Sequence, residues 1–176
     1  MVTEIEESKG PLDESVLEEH EVQWRFQLPS QYRDFLLTYN GGYPTPDAFD
    51  FKDSNTGSCV DRFLGIHGGQ HNNLLTYLQN YNERIPNELF PIGHDPGGNL
   101  ICIGVVGKNL GKVFFWDHEF EAEQGESANY SNITLILKQA KPNRVSCAEV
   151  AETHKHTPTG RLEAKPFEDC SRCRVA

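Results

Sequence analysis

At 176 residues, with 37% apolar and 24% charged side chains, the chain is long enough for one domain with a real core and no staples. Its 26 acids against 16 bases, a net charge of −10, oppose binding to the phosphates of DNA or RNA. No stretch approaches the roughly 20 consecutive apolar residues of a membrane span, so no membrane partner is expected.

The acidic start, Met1-Val2-Thr3-Glu4-Ile5-Glu6-Glu7, lacks the basic and apolar regions of a secretory signal, and a cytoplasmic protein is expected. The five cysteines agree: the count is odd, and Cys59 and Cys102 fall in apolar strand-like runs where a free thiol acts as a small hydrophobe. Charge is unevenly spread. Residues 1–21 hold eight acids and one base, while residues 141–176 hold seven bases and five acids. An acidic face either keeps the protein soluble or draws in a basic protein and speeds the encounter.

The spacing predicts a first helix from near Asp13 to Phe26, with Val16, Leu17, His20 and Trp24 on one side and the acids on the other. Leu28-Pro29-Ser30 opens a second helix, since proline suits a first turn whose N–H has no partner. Tyr32, Phe35, Leu36 and Tyr39 form its stripe, and Asn40-Gly41-Gly42 closes it. Tyr43-Pro44-Thr45-Pro46 reads as a stiff loop. A short strand is expected around Phe49-Asp50-Phe51 and a longer one through Val60, Phe63, Leu64 and Ile66. A third helix is expected over Asn72 to Asn82, with Leu74, Leu75, Leu78 and Tyr81 inward and Asn72 or Asn73 as N-cap.

Pro91 to Glu119 is the densest signal. An apolar strand ends at His94-Asp95-Pro96-Gly97-Gly98-Asn99, which is turn chemistry, and Leu100-Ile101-Cys102-Ile103-Gly104-Val105-Val106 and Lys112-Val113-Phe114-Phe115-Trp116 follow. Runs this apolar belong to strands covered on both faces. A last amphipathic helix is expected at Ile133, Leu135, Ile136 and Leu137, ended by Pro142. The fold class is therefore α+β: a single domain with a mostly antiparallel sheet of about five or six strands flanked by about four helices. Residues 1–12 read as an acidic N-terminal segment, 13–140 as the domain, and 141–176 as a disordered polar tail.

Taken in order, Leu28-Pro29, Tyr32-Arg33-Asp34-Phe35-Leu36, Asn40-Gly41-Gly42, Phe63-Leu64-Gly65-Ile66, Ile85-Pro86, Pro91-Ile92-Gly93, Asp95 with Gly97-Gly98-Asn99, and Gly111-Lys112-Val113-Phe114-Phe115-Trp116-Asp117-His118-Glu119 resemble the SUKH superfamily. The closest likeness is to its Smi/Knr branch, named after yeast cell-wall assembly regulators, over roughly residues 14–139. Tyr130-Ser131-Asn132-Ile133 departs from the aromatic-rich pattern usual near the last helix. The resemblance implies an α+β domain without catalytic activity or cofactor. For bacterial members it implies an immunity protein that binds and neutralises a cognate toxin domain, often a nuclease. The alternative is a regulatory or scaffolding protein acting through other protein partners.

His94, Asp95, Asp117, His118 and Glu119 form the one polar cluster suited to metal or proton chemistry, but the same residues serve a tight turn and a strand exit, and a structural role outweighs a site. Cys170-Ser171-Arg172-Cys173 is half of a zinc pattern, with Cys147, His154 and His156 as completing ligands. The second close pair is missing, so Cys170 and Cys173 remain weak metal candidates. Trp24 and Trp116 are more often core than interface. If a toxin is bound, burying something like ~1,600 Å², the candidate contacts are Glu14, Glu18, Glu19 and Glu21 of the first helix, Tyr43, and Asp117, His118 and Glu119.

Overall fold

The computed structural model describes residues 4–121, 128 and 130–136. The centre is a five-stranded antiparallel sheet in the order β5 (Arg62–Phe63), β6 (Leu89–His94), β7 (Leu100–Gly104), β8 (Val113–Trp116) and β9 (Ile133–Leu135). β6, β7 and β8 are the apolar runs of the sequence, and both their faces are covered. Ile101, Ile103, Phe90, Ile92 and Phe115 belong to the main cluster with Leu17 of α1, Leu36 of α2 and Leu74 of α3. Leu100, Cys102, Leu89, Phe114 and Trp116 pack into a second cluster with Tyr77 and Tyr81. Alternation along a pleated strand produces this division directly. A bulge between Pro91 and Gly93 leaves Ile92 without a ladder partner, and its carbonyl instead accepts from Leu64 N–H at 2.9 Å.

Two short ribbons extend the sheet. β1 (Glu4–Glu6) pairs with β2 (Tyr43–Thr45), and β3 (Ala48–Asp50) pairs with β4 (Gly57–Cys59). The first joins β5 where Phe63 N–H donates to Gly42 O at 2.8 Å; the second joins β9 where Lys52 N–H donates to Leu135 O at 2.8 Å. Gly42 has to be glycine: its φ is +127°, and a Cβ there would lie 2.6 Å from Glu6 O.

Three helices are present among the described residues: α1 (Glu14–Trp24), α2 (Ser30–Thr38) and α3 (Leu74–Asn80). α1 and α3 start on side-chain caps, whereas α2 starts after Pro29 without one. Asp13 accepts from Ser15 N–H at 2.9 Å, and Asn73 accepts from Leu75 N–H at 2.9 Å. Leu17, Leu36 and Leu74 are fully buried, each worth about 1.5–3 kcal/mol. The closure of α2 depends on Asn40, buried and left-handed at φ 52°. Its amide donates to Ile66 O at 2.8 Å and accepts from Ile66 N–H at 2.7 Å, bonding α2 to the loop after β5.

Four expectations change. The long strand expected through Val60, Phe63, Leu64 and Ile66 shrinks to the two-residue β5, and the chain before it pairs separately as β4, with Val60 N–H turned to Asp47 O. Tyr43–Thr45 is a strand rather than a loop, because residues 4–6 of the acidic N-terminal segment supply its partner. Ile133–Leu135 is strand β9, not a helix, because β8 offers an edge that pairs Ile133 with Trp116 and Leu135 with Phe114. Three described helices therefore stand where about four were expected. Cys102 has the buried free thiol that its run implies, whereas Cys59 is equally buried but does not stand free. Pro142 and the tail lie outside the described residues.

Candidate functional site

The polar cluster of the β6–β7 turn is engaged in holding the turn together. Asp95 is 6% exposed and accepts from Asn99 N–H at 2.9 Å, Asn99 Nδ2 at 3.0 Å and Ser58 Oγ at 3.2 Å. Asn99 Oδ1 then accepts from the His118 backbone N–H at 3.1 Å and, as an amide oxygen can only accept, from its Nδ1–H at 2.7 Å. Asp117 caps a turn of 3-10 helix at His118–Phe120 by accepting from Glu119 N–H at 3.0 Å. Asp95, Asn99 and His118 thus form one connected chain between the turn and the end of β8. Glu119 is exposed outside it.

His94 touches the turn through its Nδ1, 3.2 Å from Asp95 O, but its other partners lie toward α3. Its ring stacks on Tyr77 at 5.7 Å, Nε2 meets Asn72 Oδ1 at 2.8 Å, and Asp61 Oδ2 lies 3.8 Å from Nδ1. The structure therefore divides the sequence-level cluster into a turn staple and a clamp on the start of α3. Among the described residues no group of three His, Cys, Asp or Glu side chains is placed to hold a metal ion. Burial raises the Cys102 thiol well above its ordinary range, which leaves it inert as a nucleophile at neutral pH. Cys147, His154, His156, Cys170 and Cys173 lie outside the described residues.

The acids of α1 differ from one another. Glu14 and Glu18 are exposed and gather on Arg33 at 3.0 and 3.7 Å. Glu19 is exposed. Glu21, expected on the surface, is 5% exposed; it accepts from Leu28 N–H at 2.8 Å and from Arg33 Nε at 3.3 Å, satisfying the α1–α2 connection. The signal for this was available, since Glu21 follows Leu17 by four residues and shares its face. Tyr43 is half-buried in β2, its hydroxyl on Asp47 at 3.0 Å and Arg62 over its ring at 5.1 Å, and neighbouring Pro44 is buried. Tyr43 is therefore a strand residue engaged with its neighbours rather than part of the stiff loop expected there.

One feature escaped the sequence reading. An open groove of about 320 Å³ lies between the end of α1 and the α3–β6 connection. Trp24, Phe26 and Phe90 line it as a mutually packed set, with ring centroids 5.0–6.1 Å apart. Glu83, Ile85, Pro86 and Asn87 of the α3–β6 connection also line it. The sequence hint was Trp24-Arg25-Phe26: two aromatics running past the end of the helical stripe.

Fold and surface together define a single α+β domain that fixes its conspicuous polar residues in turns and caps and leaves its aromatic grooves open. Residues 11–134, well over half the chain, match the SMI1 / KNR4 family (SUKH-1), and the chain belongs to that family. It is 36% identical over 119 residues to the SPbeta prophage-derived uncharacterized protein YokK of Bacillus subtilis (strain 168), a match covering 58% of this chain and 60% of that protein. The chain thus spans less than two thirds of that relative's length. No described helix is long and apolar enough to cross a membrane.

Proposed function

We propose that this is a cytoplasmic, non-catalytic immunity protein that binds and neutralises a cognate toxin domain, a basic nuclease being the type its charge suits. Membership of the SUKH-1 family carries the reading. Two observations support it. The polar side chains that looked most capable of chemistry are engaged in turn and loop hydrogen bonds, and a net charge of −10 steers a basic partner while repelling nucleic acid. A relative derived from a prophage fits a toxin and its antidote carried on a mobile element.

The test is co-expression with the C-terminal domains of secreted proteins encoded next to this gene. Restored growth together with a complex on a sizing column is expected with one of them. Absence of both across all neighbouring toxins, with pull-downs returning a constant set of housekeeping proteins, would replace the proposal with a regulatory or scaffolding role.

A further inference from the structure

We infer that the partner is gripped where two open grooves meet at the Glu88–Val105 contact, and that it presents there apolar side chains flanked by basic residues. This rests on reading the chain as a binding protein and says where it binds.

The first groove is the one framed by Trp24, Phe26 and Phe90. The second, of about 360 Å³, is lined by Val106, Phe114 and Tyr130 together with Glu88 and Lys108. They are neighbours: Asn87 and Val105 line the first, Glu88 and Val106 the second, and Val105 N–H donates to Glu88 O at 2.9 Å between them. The surface beside the second groove is apolar. Val106 is 43% exposed and Tyr130 45%, and Leu110, at 57%, follows Asn109 of the groove wall. Large apolar side chains left in water around paired concavities are what interface anchors fill.

Charge selects the occupant. Glu83 borders the first groove and Glu88 the second; no ion pair among the described residues uses either, and Glu88 shares only a hydrogen bond with the Tyr130 hydroxyl of its own groove. Arg84, between them in sequence, is committed to Glu121 at 2.7 Å. A partner's bases therefore belong opposite the 83–88 connection, and away from Arg25 and Lys108.

The probe is the blocked pentapeptide Lys-Trp-Lys-Leu-Arg, titrated at low ionic strength into the ¹⁵N-labelled full chain. Saturable shifts are expected at the Trp24 indole N–H and at the amides of 83–88 and 105–108, with 14–19 and 117–119 unmoved. Replacing the peptide's Trp and Leu by Ala, or making Glu83→Lys with Glu88→Lys in the protein, weakens binding about tenfold. Val106→Asp, an exposed change that leaves the fold intact, weakens it similarly. Absence of saturable shifts overturns the inference, as do shifts centred on α1 or residues 117–119, or binding indifferent to the Ala peptide. Shifts of the same amides with protein concentration alone would assign the surface to a second copy and also overturn it. Because no toxin enters this experiment, failure of growth rescue and failure of the groove are read separately.

Discussion

The β6–β7 hairpin has two ends of opposite character. At the turn end, Asp95 and His118 are the residues a chemist would first suspect of catalysis, and both are tied to Asn99 between them. At the other end, Leu89 and Val105 border grooves in which aromatic and aliphatic side chains, expected to be core, remain partly open. The contrast teaches that residue type alone misplaces function: a buried carboxylate serves the backbone, while the uncommitted surface is apolar.

The largest predicted effect breaks the turn end. Asp95→Ala leaves Ser58 and two donors of Asn99 without an acceptor and costs about 2–4 kcal/mol in urea unfolding. The peptide-binding residues at the far end should keep their affinity so long as the chain is folded. A similar loss, about 2–3 kcal/mol, is expected for Glu21→Ala, which strands Leu28 N–H and part of Arg33. Glu19→Ala, on the same helix but exposed, should stay within about 0.5 kcal/mol of wild type. Equal effects of the two glutamates would contradict the burial assigned to Glu21.

These pairs also show what the sequence could reveal. β6, β7 and β8 were legible because strands covered on both faces must be continuously apolar, and α1 and α3 because Asp13 and Asn73 are capping types. β9 was not legible, because a short run such as Ile133-Thr134-Leu135-Ile136 suits helix or strand equally until the open edge of β8 decides. β1 and β2 are three residues each and exist only through pairing between segments far apart in the chain. The candidate surface was least legible. Glu14, Glu18 and Glu19 are exposed as read, but a groove made by α1, α3 and β6 has no linear pattern.

Smaller effects sharpen the comparison. Arg25→Gly should raise stability by about 0.5–1 kcal/mol, since glycine holds the left-handed backbone without a Cβ penalty, partly offset by its greater chain entropy. The smallest effect is a matter of pH. Hydrogen bonds from Arg84 hold the Glu121 carboxyl below its ordinary range. A lowered folded-state value means the contribution is present above the unfolded value of about 4.3 and lost as pH falls through the folded one. Arg84 is 43% exposed, so the gap between wild type and Glu121→Gln should be about 0.5 kcal/mol at pH 7. It should close as unfolding is repeated toward pH 3.

The most direct test of the central claim is growth rescue from the neighbouring toxin by three chains compared side by side: wild type, His118→Ala, and Val106→Asp with Glu83→Lys. Full rescue by the first two and its loss in the third, with all three folded, is the predicted result. Loss with His118→Ala and full rescue by the groove variant would show that the turn end, not the apolar end, delivers the function.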